Sequence, residues 1–137
     1  INALSILIAI LPEPVRLAAA TLDVPAGRAG PIAAQLSLMA GAVPVAARFD
    51  FLHPGPPRWD ITINTDAGTW VLADGGATLA HDGVAVPLAA AGEYPGLYRR
   101  FAELVATGHS DCDVRPLELV ADAFVLGQRR TVAAFSF

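Results

Sequence analysis

The chain has 137 residues, enough for one domain with a buried core, and 54% of them are hydrophobic while 16% are charged. This apolar share is high for a soluble domain, so we expect another domain or a partner to cover part of its surface. The net charge of -4 argues against a protein that binds nucleic acid or anionic membranes, because either function needs a basic surface.

The basic residues and the cysteine restrict the chemistry further. All 9 basic residues are arginine, so the chain holds no catalytic lysine. Cys112 is the one cysteine, which excludes a disulfide within the chain and favours a reducing cytoplasm.

The chain opens with an apolar stretch, INALSILIAILPEP, in which Asn2 and Ser5 are the polar exceptions before Pro12. The stretch is too short to span a bilayer, which takes about 20 apolar residues. It also lacks the basic leader of a signal peptide, and Pro12 and Pro14 end it abruptly. The pattern predicts a helix over residues 1–11 that is packed on more than one side.

Strand-like segments separated by turn residues follow this helix. Apolar and polar residues alternate with period two in several of them, which is typical of strands with one buried face. Asp82-Gly83 is a two-residue hairpin signal, whereas Asp74-Gly75-Gly76 is interpreted as a simple turn. Strands are predicted at residues 15–24, 31–39, 43–51, 59–65, 69–73, 78–81, 84–88 and 132–137.

Two helices are predicted between the last two of these strands. The first covers residues 95–107, with Pro95 in its first turn and Gly108 at its C-terminal end. The second covers residues 114–127, with Asp113 as its N-cap. Their apolar faces are predicted to carry Leu97, Phe101, Leu104 and Val105 in the first, and Leu117, Val120, Ala121 and Phe124 in the second.

This order of elements predicts an α+β fold. We expect an open, mostly antiparallel sheet of about six or seven strands, with the three helices gathered on one face.

Sequence motifs assign no catalytic, cofactor-binding or metal-binding residue. His109, Asp111, Cys112 and Asp113 are close in sequence, but ligands on one short loop rarely converge on a metal without a second ligating segment. The sequence has no G-x-S-x-G or H-E-x-x-H motif and no phosphate-binding glycine loop before a helix. The residues alone therefore do not indicate a complete enzyme.

Two residues are candidates for ligand binding. Asn2, in the first turn of an apolar helix, would either cap free backbone N–H groups or point into a polar cavity. Trp59 follows the loop HPGPPR, and is either a core residue or an apolar platform for a sugar ring. Trp70 has no such loop beside it and is assigned to the core.

Four segments, in order along the chain, carry a resemblance to one known family. They are INALSILIAILP, VPAGRAGPIAAQL, RFDFLHPGPPRWDITINTDAGTWVLADGGATLAHDGVAVPLA and GEYPGLYRRFAELVATGHSDCDVRPLELVADAFVLGQRR. Through them the whole chain resembles the C-terminal domain of bacterial aldose 1-dehydrogenases in the glucose–fructose oxidoreductase/inositol dehydrogenase (Gfo/Idh/MocA) family.

The resemblance implies a longer enzyme whose N-terminal Rossmann domain, absent from this chain, binds NAD or NADP. The family's catalytic Asp lies in a D-P-G-I-N stretch; this chain starts at the Ile of that stretch, so Asn2 matches the substrate-binding Asn. By the same resemblance Trp59 would line the sugar pocket, although the loop LHPGPPR differs from the usual RQTGPQT.

The reaction that the resemblance implies is oxidation of a cyclic aldose, such as arabinose or galactose, at C1 to its lactone. Residues 1–137 would be the substrate-binding and oligomerisation domain of this cytoplasmic enzyme, inactive by themselves. An assembly domain without a catalytic role and a free-standing β-rich binding module are the alternative interpretations.

Two further expectations concern surfaces. Asn2 and Trp59 are predicted to face the same cavity, because a sugar needs both an amide and an aromatic face. Self-association is predicted through a polar face of the sheet, which carries Gln35, Ser37, Arg48, Asp50, Thr62 and Asn64.

Overall fold

The structure, a computed structural model, describes residues 2–88 and 93–135. The described residues divide into two compact units, the first formed by residues 2–55 with 114–135 and the second by residues 56–88 with 93–113. The elements in chain order are α1 (Asn2–Ile10), β1 (Val15–Pro25), β2 (Ala33–Ala40), β3 (Val43–Asp50), β4 (Ile61–Thr65), β5 (Gly68–Ala73), β6 (Thr78–His81), β7 (Val84–Ala85), α2 (Glu93–Thr107), α3 (Arg115–Leu126) and β8 (Gln128–Val132).

The first unit is a four-stranded sheet, sheet A, with α1 and α3 packed on one face. Its strand order is β3-β2-β1-β8, in which β1 and β8 are parallel and the other neighbours are antiparallel. Alternate residues of β1 and β2 point at the helices, because successive side chains of a strand point to opposite faces. The buried core cluster consists of Leu4, Leu7, Ile8, Ala20, Leu36, Leu38, Leu119 and Ala123.

The second unit contains another four-stranded sheet, sheet B, and helix α2. Its strands follow the chain in the order β4-β5-β6-β7, and every pair is antiparallel. The turn between β6 and β7 is Asp82-Gly83, with φ angles of 49° and 78° that suit a tight hairpin. None of the described residues of this unit is buried.

The predicted α+β class with mostly antiparallel strands is confirmed, but the strands form two sheets of four. The sequence predicted one sheet of about six or seven strands. The separation follows from the Pro- and Gly-rich segment 53–60, which pairs with neither sheet as a strand and leaves β3 and β4 in different sheets. The prediction that the helices lie on one face of the sheet holds for α1 and α3, whereas α2 belongs to the second unit.

Helix α2 ends just before Gly108, as the sequence predicts. Gly108 has a φ of 66°, and its N–H donates to Val105 O at 3.4 Å while the His109 N–H donates to Leu104 O at 3.2 Å. This pair of bonds is the Schellman arrangement, which favours glycine because the residue after the helix is left-handed.

Two predictions about α3 are wrong. Its N-cap residue is Val114, with no side-chain capping bond, where Asp113 was expected. Its buried residues are Pro116, Leu119 and Ala123. Of the predicted stripe, Val120 packs against this core, whereas Leu117, Ala121 and Phe124 are exposed. The reason is that α3 is apolar on two sides, and packing against α1 and β1 selects the side that is buried.

The predicted last strand is also misplaced. Strand β8 covers Gln128–Val132, whereas residues 133–135 are not in a strand and residues 136–137 lie outside the described residues. Helix α3 passes directly into β8 at Gly127, where an added Cβ would collide with the carbonyl oxygen of Ala123 and lie 3.1 Å from the Cβ of Ala20. Glycine therefore allows the chain to turn tightly against the end of α3 and against β1, and to begin the strand early.

Candidate functional site

Asn2 is the first residue of α1, and its side chain is exposed. The helix is anchored from behind by Leu4, Leu7 and Ile8, which are buried against sheet A and α3. An amide on a fixed helix end can donate and accept hydrogen bonds with a ligand. The position therefore suits a group that orients a polar substrate.

Trp59 is half-buried and lies in the second unit, two residues before β4 begins at Ile61. The predicted strand began at Trp59 itself, so this prediction is two residues too early. Its carbonyl oxygen accepts a hydrogen bond from the Gly75 N–H at 3.3 Å. Arg58 and Asp60, the residues on either side, form an exposed ion pair with an N···O distance of 2.8 Å. The backbone around Trp59 is thus held although it lies outside the strand.

Asn2 and Trp59 lie in different units, and their common cavity stays a prediction. The residues of the proposed assembly face are also split between the two units. Gln35 pairs directly with Arg48 on the face of sheet A opposite the helices, and Ser37 and Asp50 lie on that face too. Thr62 and Asn64 belong to sheet B.

An aromatic pair on sheet B was missed by the sequence analysis. The rings of Trp70 and His81 are stacked, with centroids 4.2 Å apart and an angle of 19° between their planes. Nε2 of His81 is 2.9 Å from Ala67 O, which fits a hydrogen bond donated by the ring. Trp70, assigned to the core from sequence, is half-buried. The signal was the spacing of the two residues around the β5–β6 turn, which places them opposite each other.

The segment His109–Asp113, which was considered as a metal site, is a loop fastened by an ion pair. Asp111 accepts hydrogen bonds from Arg100 Nε at 3.0 Å and Nη2 at 2.8 Å. These bonds and the charge of Asp111 raise the pKa of Arg100 above its ordinary value. Within the described residues, no group of three or more His, Cys, Asp or Glu side chains is placed to hold a metal ion.

No glycine of the described residues lies in a turn that leads from a strand into an α-helix. A dinucleotide-binding site needs such a glycine-rich turn, where backbone N–H groups meet the phosphates. The glycines of sheet B instead lie in or beside turns between antiparallel strands, as at Gly68, Gly75 and Gly83. No helix in residues 2–88 and 93–135 has the length and apolar character needed to cross a membrane.

Comparison with known proteins supports a relationship to sugar dehydrogenases. The chain is 44% identical, over 136 residues, to galactose 1-dehydrogenase from Pseudomonas fluorescens. The aligned part is 98% of this chain and 45% of that protein, so the chain spans about half the length of the curated relative. No protein-family model matches the chain.

Solved structures agree in fold. The crystal structure of D-galactose-1-dehydrogenase from Rhizobium etli matches with a TM-score of 0.91 and 48% identity, over 98% of this chain and 43% of that one. A 3-ketoreductase from Actinomadura kijaniata, solved with NADP, matches with a TM-score of 0.73 over 95% of this chain and 46% of that one, at 12% identity, which is evidence of fold alone. The resemblance to aldose 1-dehydrogenases predicted from the sequence is confirmed by the two galactose 1-dehydrogenases.

Proposed function

We propose that this chain is the substrate-binding and assembly domain of an NAD(P)-dependent aldose 1-dehydrogenase. The observation that carries the proposal is the match to the Rhizobium etli enzyme, which combines 48% identity with a TM-score of 0.91 over 98% of the chain. Identity at that level across both units favours a shared ligand chemistry as well as a shared fold. Galactose is therefore the first sugar to test, with arabinose as its comparison.

Asn2 and Trp59 have complementary roles in this proposal. The amide of Asn2 exchanges hydrogen bonds with sugar hydroxyls, for which it is exposed at the head of α1. The half-buried ring of Trp59 offers an apolar face to the C–H surface of the sugar. Together they orient the ring so that its C1 is correctly placed, and such positioning supplies a large part of the rate in enzymes that join two reactants.

The coenzyme and the base belong to another part of the full-length protein in this proposal. A bound nicotinamide would accept the hydride that leaves C1 on oxidation to the lactone. Two observations support this placement: the described glycines form no turn from a strand into an α-helix, and the chain has no lysine. We therefore expect the isolated chain to be inactive. The one cysteine of the sequence, Cys112, is exposed and suits a reducing cytoplasm.

A second role, assembly, is favoured by the open face of sheet A. Gln35, Ser37 and Arg48 are exposed there, beside the small residues Ala19 and Ala46. A flat face of small and polar side chains suits a hydrated interface between two copies of the chain. Sedimentation of the chain at high concentration should show an oligomer, and Ser37→Glu should shift it toward monomer. A purely monomeric chain would contradict the assembly role.

The catalytic proposal is tested in the full-length protein with galactose and NAD or NADP. Asn2→Ala should lower kcat/KM, because a hydrogen bond to the sugar is lost. The decrease should correspond to roughly 2–3 kcal/mol of transition-state stabilisation. Trp59→Ala should mainly raise KM. The control is Gln128→Ala, which removes another exposed amide, on β8, and should leave both constants unchanged. Unchanged sugar oxidation in Asn2→Ala would contradict the site, and no oxidation of any aldose by the full-length protein would contradict the function.

A further inference from the structure

The turn between β5 and β6 has an unusual backbone. Asp74, Gly75 and Gly76 follow one another with φ angles of 52°, 69° and 95°. Glycine adopts positive φ without steric cost, and aspartate tolerates it better than most residues, so this sequence suits three left-handed residues in succession. A hydrogen bond from Thr78 Oγ1 to Asp74 Oδ2, at 3.4 Å, helps to close the turn.

This turn contacts the segment that carries Trp59. The Gly75 N–H donates to Trp59 O at 3.3 Å. In the β4–β5 ladder Ile61 pairs with Leu72, so continuing the same register by two residues would set Trp59 opposite Asp74. The chain leaves strand geometry after Ala73, and the donor is consequently Gly75, one residue further on. The left-handed turn thus supplies a hydrogen bond where the ladder ends.

We propose that Gly75 is a positioning residue for Trp59. Its left-handed backbone directs the N–H at Trp59 O and so fixes the backbone from which the indole ring projects. This inference rests on the proposed function, in which Trp59 contacts the sugar. The segment Asp74-Gly75-Gly76, interpreted from sequence as a simple turn, then determines how well the sugar platform is placed.

Gly75 is sensitive to substitution because of its backbone conformation, since the space around it is open. A Cβ added there would meet no atom within 4 Å, so a side chain would act through backbone strain alone. A β-branched residue at this φ is a marked outlier, whereas asparagine tolerates it. Gly75→Val should therefore disturb the turn, and Gly75→Asn should preserve it.

The chain offers a matched control on the same sheet. Gly83 has a φ of 78°, follows Asp82 with a φ of 49°, and likewise has no atom within 4 Å of an added Cβ. Its turn joins β6 to β7, and its hydrogen bonds do not involve Trp59. Gly83→Val therefore imposes similar backbone strain away from the proposed platform.

The test measures KM and kcat for galactose in the full-length protein. Gly75→Val should raise KM about three- to tenfold with little change in kcat, because an apolar platform binds the sugar similarly before and during reaction. Gly75→Asn and Gly83→Val should keep the original KM. If Gly75→Val fails to fold, Gly75→Ala gives the same comparison with a smaller rise.

A double variant separates this inference from the proposed function. If Gly75 acts through Trp59, adding Gly75→Val to Trp59→Ala should raise KM no further. Independent effects that multiply, or an equal rise in Gly83→Val, would overturn the positioning role while leaving the function intact. An unchanged KM in Trp59→Ala would overturn the assignment of Trp59 and this inference with it.

Discussion

The two units of the chain place their apolar side chains differently. In the first unit, Leu22 and Leu38 are fully buried, and Leu38 belongs to the core cluster that sheet A forms with α1 and α3. In the second unit, α2 carries an exposed stripe whose members include Leu97, Phe101 and Val105. Both units have amphipathic elements, yet the first has a fully buried core, whereas the described apolar side chains of sheet B are at most half-buried and the stripe on α2 is exposed.

This difference shows that two kinds of interaction stabilise the units. Hydrophobic burial dominates in the first. In the second, polar cross-links join neighbouring turns of sheet B: Asp82 Oδ1 accepts a hydrogen bond from the Thr69 N–H at 2.8 Å, and His81 bonds Ala67 O. Exposed apolar side chains on α2 contribute little to stability while they remain in water.

The sharpest test of this difference is a truncation in each unit. Leu38→Ala should lower the free energy of unfolding by about 3 kcal/mol, because Leu38 is 1% exposed and its loss leaves a cavity. Phe101→Ala removes a larger side chain, but Phe101 is 64% exposed, so the loss should stay below about 1 kcal/mol. Urea unfolding followed by circular dichroism measures both. Equal losses would mean that α2 is packed as tightly as sheet A.

A glycine substitution tests the cross-linked turns of sheet B. Gly68 has a φ of 119°, and an added Cβ would lie 2.5 Å from Asp82 Oδ2 and 2.6 Å from His81 Nε2. Gly68→Ala should therefore destabilise the sheet by about 2 kcal/mol and increase amide hydrogen exchange in β5 and β6.

Gly27 provides the comparison in the first unit. It has a φ of 76° but no atom within 4 Å of an added Cβ, so Gly27→Ala should cost only about 1 kcal/mol. The same cost at both glycines would show that the contact between the two turns of sheet B does not contribute to stability.

The smallest expected effect is electrostatic and lies in the first unit. Arg130 donates two hydrogen bonds to Asp23, at 2.7 and 2.8 Å, across the parallel strands β1 and β8. These bonds hold the pKa of Asp23 below its ordinary value of 3.8. Because the folded-state pKa is the lower one, the contribution is complete above pH 3.8 and is lost as the pH falls through the folded pKa.

Asp23→Asn should therefore flatten the acid limb of the stability curve below pH 3.8. Asp122→Asn, at an exposed position of α3, is the control and should keep the slope. The free energy of unfolding of both variants, measured at several pH values, gives the two slopes to be compared. An unchanged slope in Asp23→Asn would show that the ion pair does not link folding to pH.

Local signals predicted the features that depend on neighbouring residues. Gly108 ends α2 and Asp82-Gly83 forms a hairpin, because the left-handed backbone at such places selects glycine or aspartate from local sterics. The α+β class followed from the change of period along the chain. Asn2 and Trp59 were chosen as candidate binding residues from their positions in the chain and from the resemblance to aldose 1-dehydrogenases. Their roles remain predictions.

Features that depend on distant contacts were not predicted. The buried side of α3 is selected by α1 and β1, since Leu117 and Leu119 are equally apolar in sequence. Strand β8 starts at Gln128 because β1 offers it a parallel partner more than a hundred residues earlier, at Thr21. The contact from Gly75 to Trp59 likewise depends on where the β4–β5 ladder ends.

The first unit is discontinuous, which has a consequence for how the protein is made. Sheet A receives its last strand and its α3 cover from residues 114–132, after the whole second unit has been synthesised. Until then the emerging chain displays the apolar surface around Leu36 and Leu38 without Leu119 and Ala123. Closing so long a loop is slow, because its entropy is lost before the distant contacts form. During synthesis the second unit is thus completed before α3 and β8 emerge, and the core residues of sheet A stay incompletely covered until then.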